Sequence, residues 1–210
     1  MLEQTKLIVD IVKAIAVSVA SVVAVWGINS WKRELVGKKK HDCAEEALEL
    51  FYRAQDLIAY IRNPMGHSEE GKTRKRGEKE TEAESKILDQ AYVLIERYNK
   101  QLETFQKLHA MRYKSMALFG KDAANPFDDL SKIVNEMHIA AQMLAHNYLY
   151  RQKGMYRNGE REEKLYKDIE KYEAVFWEGS DDNDPIRPRV KQVIEKAEKI
   201  FGTVLQLNSA

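Results

Sequence analysis

A long apolar run near the beginning of the chain constrains the fold more than any other feature of the sequence. Residues 7–28 hold only two charged side chains, Asp10 and Lys13. As a helix this run would extend roughly 33 Å, which matches a bilayer core of about 30 Å. Asp10 and Lys13 are three residues apart, so they share a helix face and can pair, and they lie in the outer third of the run, where a charge costs less. The run therefore predicts a single transmembrane helix.

The residues that flank the run predict its orientation. Trp26 and Trp31 lie where an interfacial aromatic belt is expected. Glu3 and Lys6 precede the run, whereas five basic residues follow it: Lys32, Arg33, Lys38, Lys39 and Lys40. Because positive charge accumulates on the cytoplasmic side, we expect the C-terminal body to be cytoplasmic. The last three lysines are expected to contact anionic lipid headgroups.

Two other interpretations of the run stay open. A cleaved signal peptide would fit a cleavage site at Ser18-Val19-Ala20, but Asp10 interrupts the run and the residues before it are not clearly basic. A buried helix of a soluble protein would have the same length. The lysine cluster and the flanking tryptophans favour the membrane anchor over both.

Small residues in the run predict that the anchor self-associates. Ala16, Ala20 and Ala24 form a ridge on one face that permits close approach of two helices in lipid. In an oligomer, Asp10 and Lys13 would each meet an opposite charge on the neighbouring anchor. The alternative is a monomeric anchor in which these two side chains pair with each other.

Composition predicts an all-α body. The chain has 210 residues, of which 44% are hydrophobic, with 10 glycines and 4 prolines. Scarce helix breakers favour helices throughout. The net charge of +1 gives no field that would attract nucleic acid, so we expect no nucleic-acid partner. The single cysteine, Cys43, excludes an intrachain disulfide.

Apolar side chains then repeat every three or four residues in successive segments. The first segment ends at Asn63-Pro64, and Thr81 with Glu84 forms a capping box that opens a helix predicted to end at Gly120. The stripes of the first three body helices are Ala44, Ala47, Phe51, Ala54, Ile58 and Ile61; Leu88, Ala91, Ile95, Tyr98, Leu102 and Phe105; and Phe127, Leu130, Val134, Met137, Ala141, Leu144 and Tyr148. Two shorter helices follow, and Asp184 is predicted to cap the last one.

This spacing indicates an all-α fold in which an N-terminal transmembrane helix continues into an antiparallel bundle of four to five helices with coiled-coil-like packing. We divide the chain into an anchor with its basic juxtamembrane segment, residues 1–40, and a helical bundle domain, residues 41–210. The polar residues 62–81 are predicted to form a mobile loop within the bundle domain.

Catalytic candidates are weak. Arg62 and His67 fit the Arg-x4-6-His pattern of the helical HEPN ribonucleases, in which the arginine holds phosphate and the histidine transfers a proton. A solvated turn is the alternative, because Pro64 and Gly66 place the motif at a helix exit. Enzymatic activity stays open, and the sequence favours its absence.

Metal and cofactor sites are not predicted. His138 and His146 are two helical turns apart, about 12 Å, which is too far for one metal ion. His109 and Arg112 would lie on the helix seam if strict heptads continued, which suggests either a ligand site or a polar layer. If the stripe drifts as in a straight helix, Leu108 and Met111 replace them in the seam.

Three segments of the chain resemble a group of uncharacterised single-pass bacterial membrane proteins of similar length. They are "WKRELVGKKKHDCAEEALELFYRAQDLIAYIRNP", "LDQAYVLIERYNK" with "FGKDAANPFDDLSKIVNE", and "EAVFWEGSDDNDPIRPRV". The resemblance implies a bacterial inner-membrane location and brings no activity.

From these observations we expect a membrane-anchored helical interaction or scaffold protein that forms homo-oligomers, contacts the bilayer and binds an unidentified protein partner. The alternatives are an oligomeric membrane effector or pore, and a membrane-tethered HEPN-like ribonuclease.

Overall fold

The computed structural model describes the backbone of residues 2–67, 69–155, 159–179 and 183–206, and the side chains of these residues from Lys13 onward. The chain divides into two units, Met1–Asp42 and Cys43–Ala210. The described residues form helices and turns and contain no strand. The predicted all-α class, with a long N-terminal helix followed by a helical bundle, is confirmed.

The first helix, α1, runs from Leu2 to Arg62. It ends where the sequence predicts, because a residue that precedes proline avoids the helical region. Beyond the end, the side-chain oxygen of Asn63 accepts a hydrogen bond from the backbone N–H of Met65 at 2.8 Å, which forms a local turn.

Five further helices complete the second unit. They are α2 (Glu82–Lys100), α3 (Leu102–Phe119), α4 (Asn125–Lys153), α5 (Glu160–Phe176) and α6 (Arg187–Ala197). A 3₁₀ turn, Lys121–Ala124, joins α3 to α4, and a π turn, Glu198–Gly202, continues α6 into a last helical turn. The long helix α4 lies at the centre and packs against α2, α3, α5 and α6.

Local sequence signals set several of these boundaries. Thr81 and Glu84 form the predicted capping box, with both reciprocal hydrogen bonds present. The Glu84 carboxyl accepts hydrogen bonds from Lys153 and from Thr81, and these hold its pKa at about 2. The helix α4 ends at Gly154, which has the left-handed conformation (φ 64°) that glycine adopts at low cost.

The core lies where the apolar stripes predict. All six stripe residues that α1 contributes to the second unit are at most 2% exposed, and all seven of the α4 stripe are buried. Aromatic rings meet at the centre, where the Phe51 and Phe127 centroids are 4.6 Å apart and Phe201 packs edge-on against Phe119 at 5.4 Å.

The predicted helix from Thr81 to Phe119 is wrong in one respect, because it is broken at Gln101 into α2 and α3. Gln101 leaves the helical conformation (φ −112°, ψ 12°), and its N–H bonds to the carbonyls of Tyr98 and Asn99. After the break, Leu102 is 39% exposed instead of lying in the seam, while Phe105 is buried. Neither glycine nor proline marks this position, so the local sequence carries no sign of the break.

Candidate functional site

The apolar part of α1 is exposed along its described length in the first unit. Residues 13–39, whose side chains the structure describes, are all exposed. They include eleven large apolar side chains between residues 15 and 36, each 41–69% exposed. Among the described residues, one helix is long and apolar enough, by length and composition, to cross a membrane. None of the residues in its apolar stretch is buried. A core helix of a soluble protein would be mostly buried, so this exposure disagrees with that interpretation.

The residues predicted to mediate self-association lie in this segment. Ala16, Ala20 and Ala24 are exposed and share one helix face. The side chain of Asp10 lies outside the described residues. The hydroxyls of Ser18 and Ser21 donate hydrogen bonds to backbone carbonyls four residues earlier, each at 2.8 Å. These hydroxyls therefore already have an acceptor within the helix, as a lipid-facing position requires.

The predicted headgroup-binding lysines follow this segment. Lys38 and Lys39 are exposed, and Lys40 is half-buried. Their contact with lipid stays a prediction.

Arg62, a catalytic candidate, is a buried structural residue. Its side chain is 1% exposed and pairs with Asp184, whose side chain is also 1% exposed, at 3.0 Å. The same guanidinium donates to the carbonyls of Val175 (2.8 Å), Ala174 (2.9 Å) and Trp177 (2.8 Å) at the C-terminal end of α5. Because helix ends leave carbonyls without partners, Arg62 acts as a side-chain cap for α5.

The partner of Arg62 also caps a helix. Asp184 accepts hydrogen bonds from the backbone N–H groups of Ile186 at 2.8 Å and Arg187 at 2.9 Å, as the predicted cap of α6 requires. Burial raises the pKa of the Asp184 carboxyl, but hydrogen bonds from Arg62 and from three backbone N–H groups outweigh burial and hold the pKa below its usual range.

A second buried arginine, Arg97 of α2, caps the end of α1. Its side chain is 2% exposed and pairs with Glu70 at 2.6 Å. It also donates to the carbonyls of Asn63 at 2.6 Å and Met65 at 3.0 Å, and more weakly to those of Tyr60 and Ile61, each at 3.3 Å. The sequence alone predicts no role for Arg97. Its one signal is that Arg97 follows Leu94 by three positions, which places it on the apolar side of the helix.

Other side chains of α2 hold the segment 62–81 that was predicted to be mobile. Glu96 accepts hydrogen bonds from the N–H of Gly71 and the hydroxyl of Thr73, each at 2.8 Å. Asp89 forms ion pairs with Arg74 at 3.1 Å and Arg76 at 3.0 Å. The mobility of the segment stays a prediction, and these contacts define which hydrogen bonds would have to open.

His67, the other half of the Arg-x4-6-His motif, is exposed. Its backbone N–H donates to Glu70 at 3.2 Å. It lines a cavity of about 370 Å³ beside α2, whereas Arg62 lines a different one of about 320 Å³ beside α6. An Arg62 that held phosphate would have to leave four hydrogen bonds, so this geometry gives the ribonuclease hypothesis no support.

The second candidate pair, His109 and Arg112, lies at a groove between α3 and α4. His109 is exposed, while Leu108 and Met111 are buried, so the stripe drifts as in a straight helix. Arg112 forms two hydrogen bonds with the carboxylate of Asp128, at 2.7 and 3.0 Å. The groove encloses about 420 Å³ and is lined by residues of α2, α3 and α4.

Comparison of the chain with protein-family models, with curated proteins and with solved structures found no match.

Proposed function

We propose that this protein is a single-pass protein of the bacterial inner membrane, whose anchor self-associates and whose helical body is an interaction module on the cytoplasmic side. Its partners would be the bilayer, further copies of the same chain and an unidentified protein. The observation that carries the proposal is that every described side chain of the apolar segment, within residues 13–39, is exposed.

The energetic cost of leaving this segment in water supports a membrane location. Eight large apolar side chains lie exposed between residues 15 and 28, within the proposed span. At about 2 kcal/mol for each side chain transferred out of water, lipid would stabilise the segment by roughly 16 kcal/mol. The backbone suits lipid as well, because a helix satisfies its own N–H and C=O groups.

The distribution of charge supports the orientation. Five basic residues follow the apolar run within residues 32–40, against one lysine before it. A reporter fused after Ala210 is expected to be active only in the form that works in the cytoplasm. Periplasmic activity of this fusion would contradict the proposed topology.

Membrane insertion is tested with the full chain, tagged at its N-terminus and expressed in bacteria. We expect the tag and the body in one membrane-bound polypeptide that resists alkaline washing. Val19→Arg combined with Val22→Arg places two charges within the run, at about 2.5–3.5 kcal/mol each, and should release the protein. Val36→Arg, next to the lysine cluster, is the matched control and should stay in the membrane. A soluble body that lacks the tag would instead identify a cleaved signal peptide.

Self-association is tested in the anchor itself. Ala20→Leu with Ala24→Leu should weaken crosslinking in membranes, because larger side chains separate the helices. Val22→Leu is the control, since it lies about 160° around the helix from both alanines at 100° per residue. Asp10→Leu should weaken assembly independently by removing a charge that pairs between anchors. If both changes leave crosslinking at the level of the parent, the anchor does not drive assembly.

A further inference from the structure

The groove between α3 and α4 has an apolar floor and lies entirely within the second unit. Its floor consists of Phe105 and Leu108 of α3 and of Phe127, Leu130 and Val134 of α4. Its volume of about 420 Å³ falls in the range of small-molecule sites, about 300–1,000 Å³. Tyr98 of α2, which precedes the break at Gln101, also lines the groove.

The charges at the groove cancel. Arg112 is the only lining residue with a permanent charge, and its guanidinium is neutralised by the two hydrogen bonds to Asp128. The remaining polar groups of the wall are neutral side chains and histidines. A charged ligand would therefore lose its hydration without meeting an unpaired opposite charge.

Two neighbouring side chains in the wall, His138 and Tyr98, each have a hydrogen-bonding group that is available to a ligand. The Nδ1 atom of His138 lies 2.9 Å from the carbonyl oxygen of Val134. Since a carbonyl oxygen can only accept, Nδ1 donates this hydrogen bond, and in the tautomer that has its proton on Nδ1 the Nε2 atom is an acceptor. The ring of Tyr98 packs edge-on against His138 at 4.4 Å, and its hydroxyl has no hydrogen-bond partner among the described residues. Burial raises the pKa of Tyr98, so the phenol keeps its proton and can donate.

We propose that this groove binds an uncharged, mainly apolar small molecule that carries a hydroxyl group. The apolar body would lie on the floor formed by α3 and α4. The ligand hydroxyl would accept a hydrogen bond from Tyr98 and donate one to Nε2 of His138. This inference is independent of the membrane anchor, because each residue that carries it belongs to the second unit.

The test uses the full chain in lipid nanodiscs with 2-naphthol as the probe, and it follows the methyl NMR signals of Leu130 and Val134 during titration. We expect saturable shifts of both methyl groups. Naphthalene, which lacks the hydroxyl, and 2-naphthoate, which is an anion, are compared on the unaltered protein. We expect weak shifts with the first and none with the second at the same free concentration. Equal binding of 2-naphthol and 2-naphthoate, or no shift at either methyl, would overturn the proposal.

Variants locate the two hydrogen bonds. Tyr98→Phe and His138→Phe each keep an aromatic ring but remove one hydrogen-bonding group, and each should weaken the apparent affinity for 2-naphthol about fivefold to tenfold. The matched control is His146→Phe, two turns along α4 and outside the groove, which should bind like the parent. Partition of the probe into lipid is the same for all variants, so it cancels in these ratios. Unchanged affinity in both Tyr98→Phe and His138→Phe would refute the assigned contacts.

Discussion

Replacing Arg62 by methionine tests whether a buried ion pair holds the ends of three helices together. Methionine keeps an unbranched apolar chain of similar length but removes all five N–H donors of the guanidinium. The change leaves the carboxylate of Asp184 buried without its ion-pair partner. It also removes the cap from three carbonyls at the end of α5, which Arg62 contacts at 2.8–2.9 Å.

The expected cost is large. Removing one partner of a buried ion pair costs about 3–5 kcal/mol, because the remaining charge stays buried. Each uncapped carbonyl that stays out of water adds about 1 kcal/mol or more. Asp184 retains its three backbone N–H donors, which limits the penalty on the carboxylate. We therefore expect Arg62→Met to destabilise the body by about 4 kcal/mol or more, a large part of the roughly 5–15 kcal/mol that holds a domain folded.

The assay is urea unfolding of the full chain in mild detergent, followed by tryptophan fluorescence. Trp177 is the useful probe, because it follows α5 and its carbonyl bonds directly to Arg62. Phe replaces Trp26 and Trp31 so that Trp177 is the one remaining tryptophan. The control is Arg189→Met, which removes a half-exposed ion pair with Glu136 and should cost less than about 1 kcal/mol.

Two results would refute the reasoning on Arg62. One is a free energy of unfolding for Arg62→Met within error of that for Arg189→Met. The other comes from the double variant Arg62→Met with Asp184→Ala, which removes the unpaired carboxylate. The double variant should lose less stability than the sum of the two single variants. Strict additivity would mean that the two side chains do not interact in the folded protein.

Three further predictions address the loop, the helix break and the response to acid. Gly71→Ala should destabilise the body by about 2 kcal/mol or more, because φ at Gly71 is +83° and an added Cβ would lie 1.9 Å from a backbone oxygen of α2. The control is Gly77→Ala, whose Cβ would meet nothing nearer than 3.7 Å and which should be nearly neutral in the same urea assay. Phe105→Asp should cost several kcal/mol, whereas Leu102→Asp should cost less than about 1 kcal/mol, and equal losses would contradict the break at Gln101. Because the pKa of Asp184 is lowered in the folded state, the stabilisation that it contributes is fully present above the unfolded pKa of about 4 and disappears as pH falls through the folded pKa. Asp184→Asn should therefore reduce the loss of stability at acid pH, measured by urea titrations at successive pH values.

The sequence predicted those parts of the fold that depend on neighbouring residues. The end of α1 follows from proline stereochemistry, and the start of α2 follows from a capping box of two residues three positions apart. The buried stripe of α4 follows from helical periodicity, which is a property of the helix itself. Each of these signals acts within one or two turns, so a single sequence contains it in full.

The parts that the sequence did not predict depend on residues distant along the chain. The Arg-x4-6-His motif predicts that Arg62 acts together with the nearby His67, but the ion-pair partner of Arg62 is Asp184, 122 residues further along the chain. For His109 the sequence left two alternatives open, and the structure has the one in which Leu108 and Met111 are buried and His109 is exposed. The break at Gln101 was not predicted, because no glycine or proline marks it. The roles of Arg62 and Arg97, whose hydrogen-bond partners are distant along the chain, therefore required the structure before they could be assigned.

Three buried side chains, Arg97, Arg62 and Asp184, link the ends of different helices in the second unit, so a substitution at one of them affects more than one helix. Arg97 of α2 caps the end of α1, Arg62 at that end caps α5, and Asp184, paired with Arg62, caps the start of α6. Loss of Arg62 leaves the Asp184 carboxylate buried without its ion-pair partner, so the effect reaches the start of α6 as well as the end of α5. The same arrangement explains why Arg62 suits a structural role. Donors engaged by Asp184 and three carbonyls are not free to hold a phosphate, and releasing them would uncover the end of α5 and leave Asp184 without its ion-pair partner.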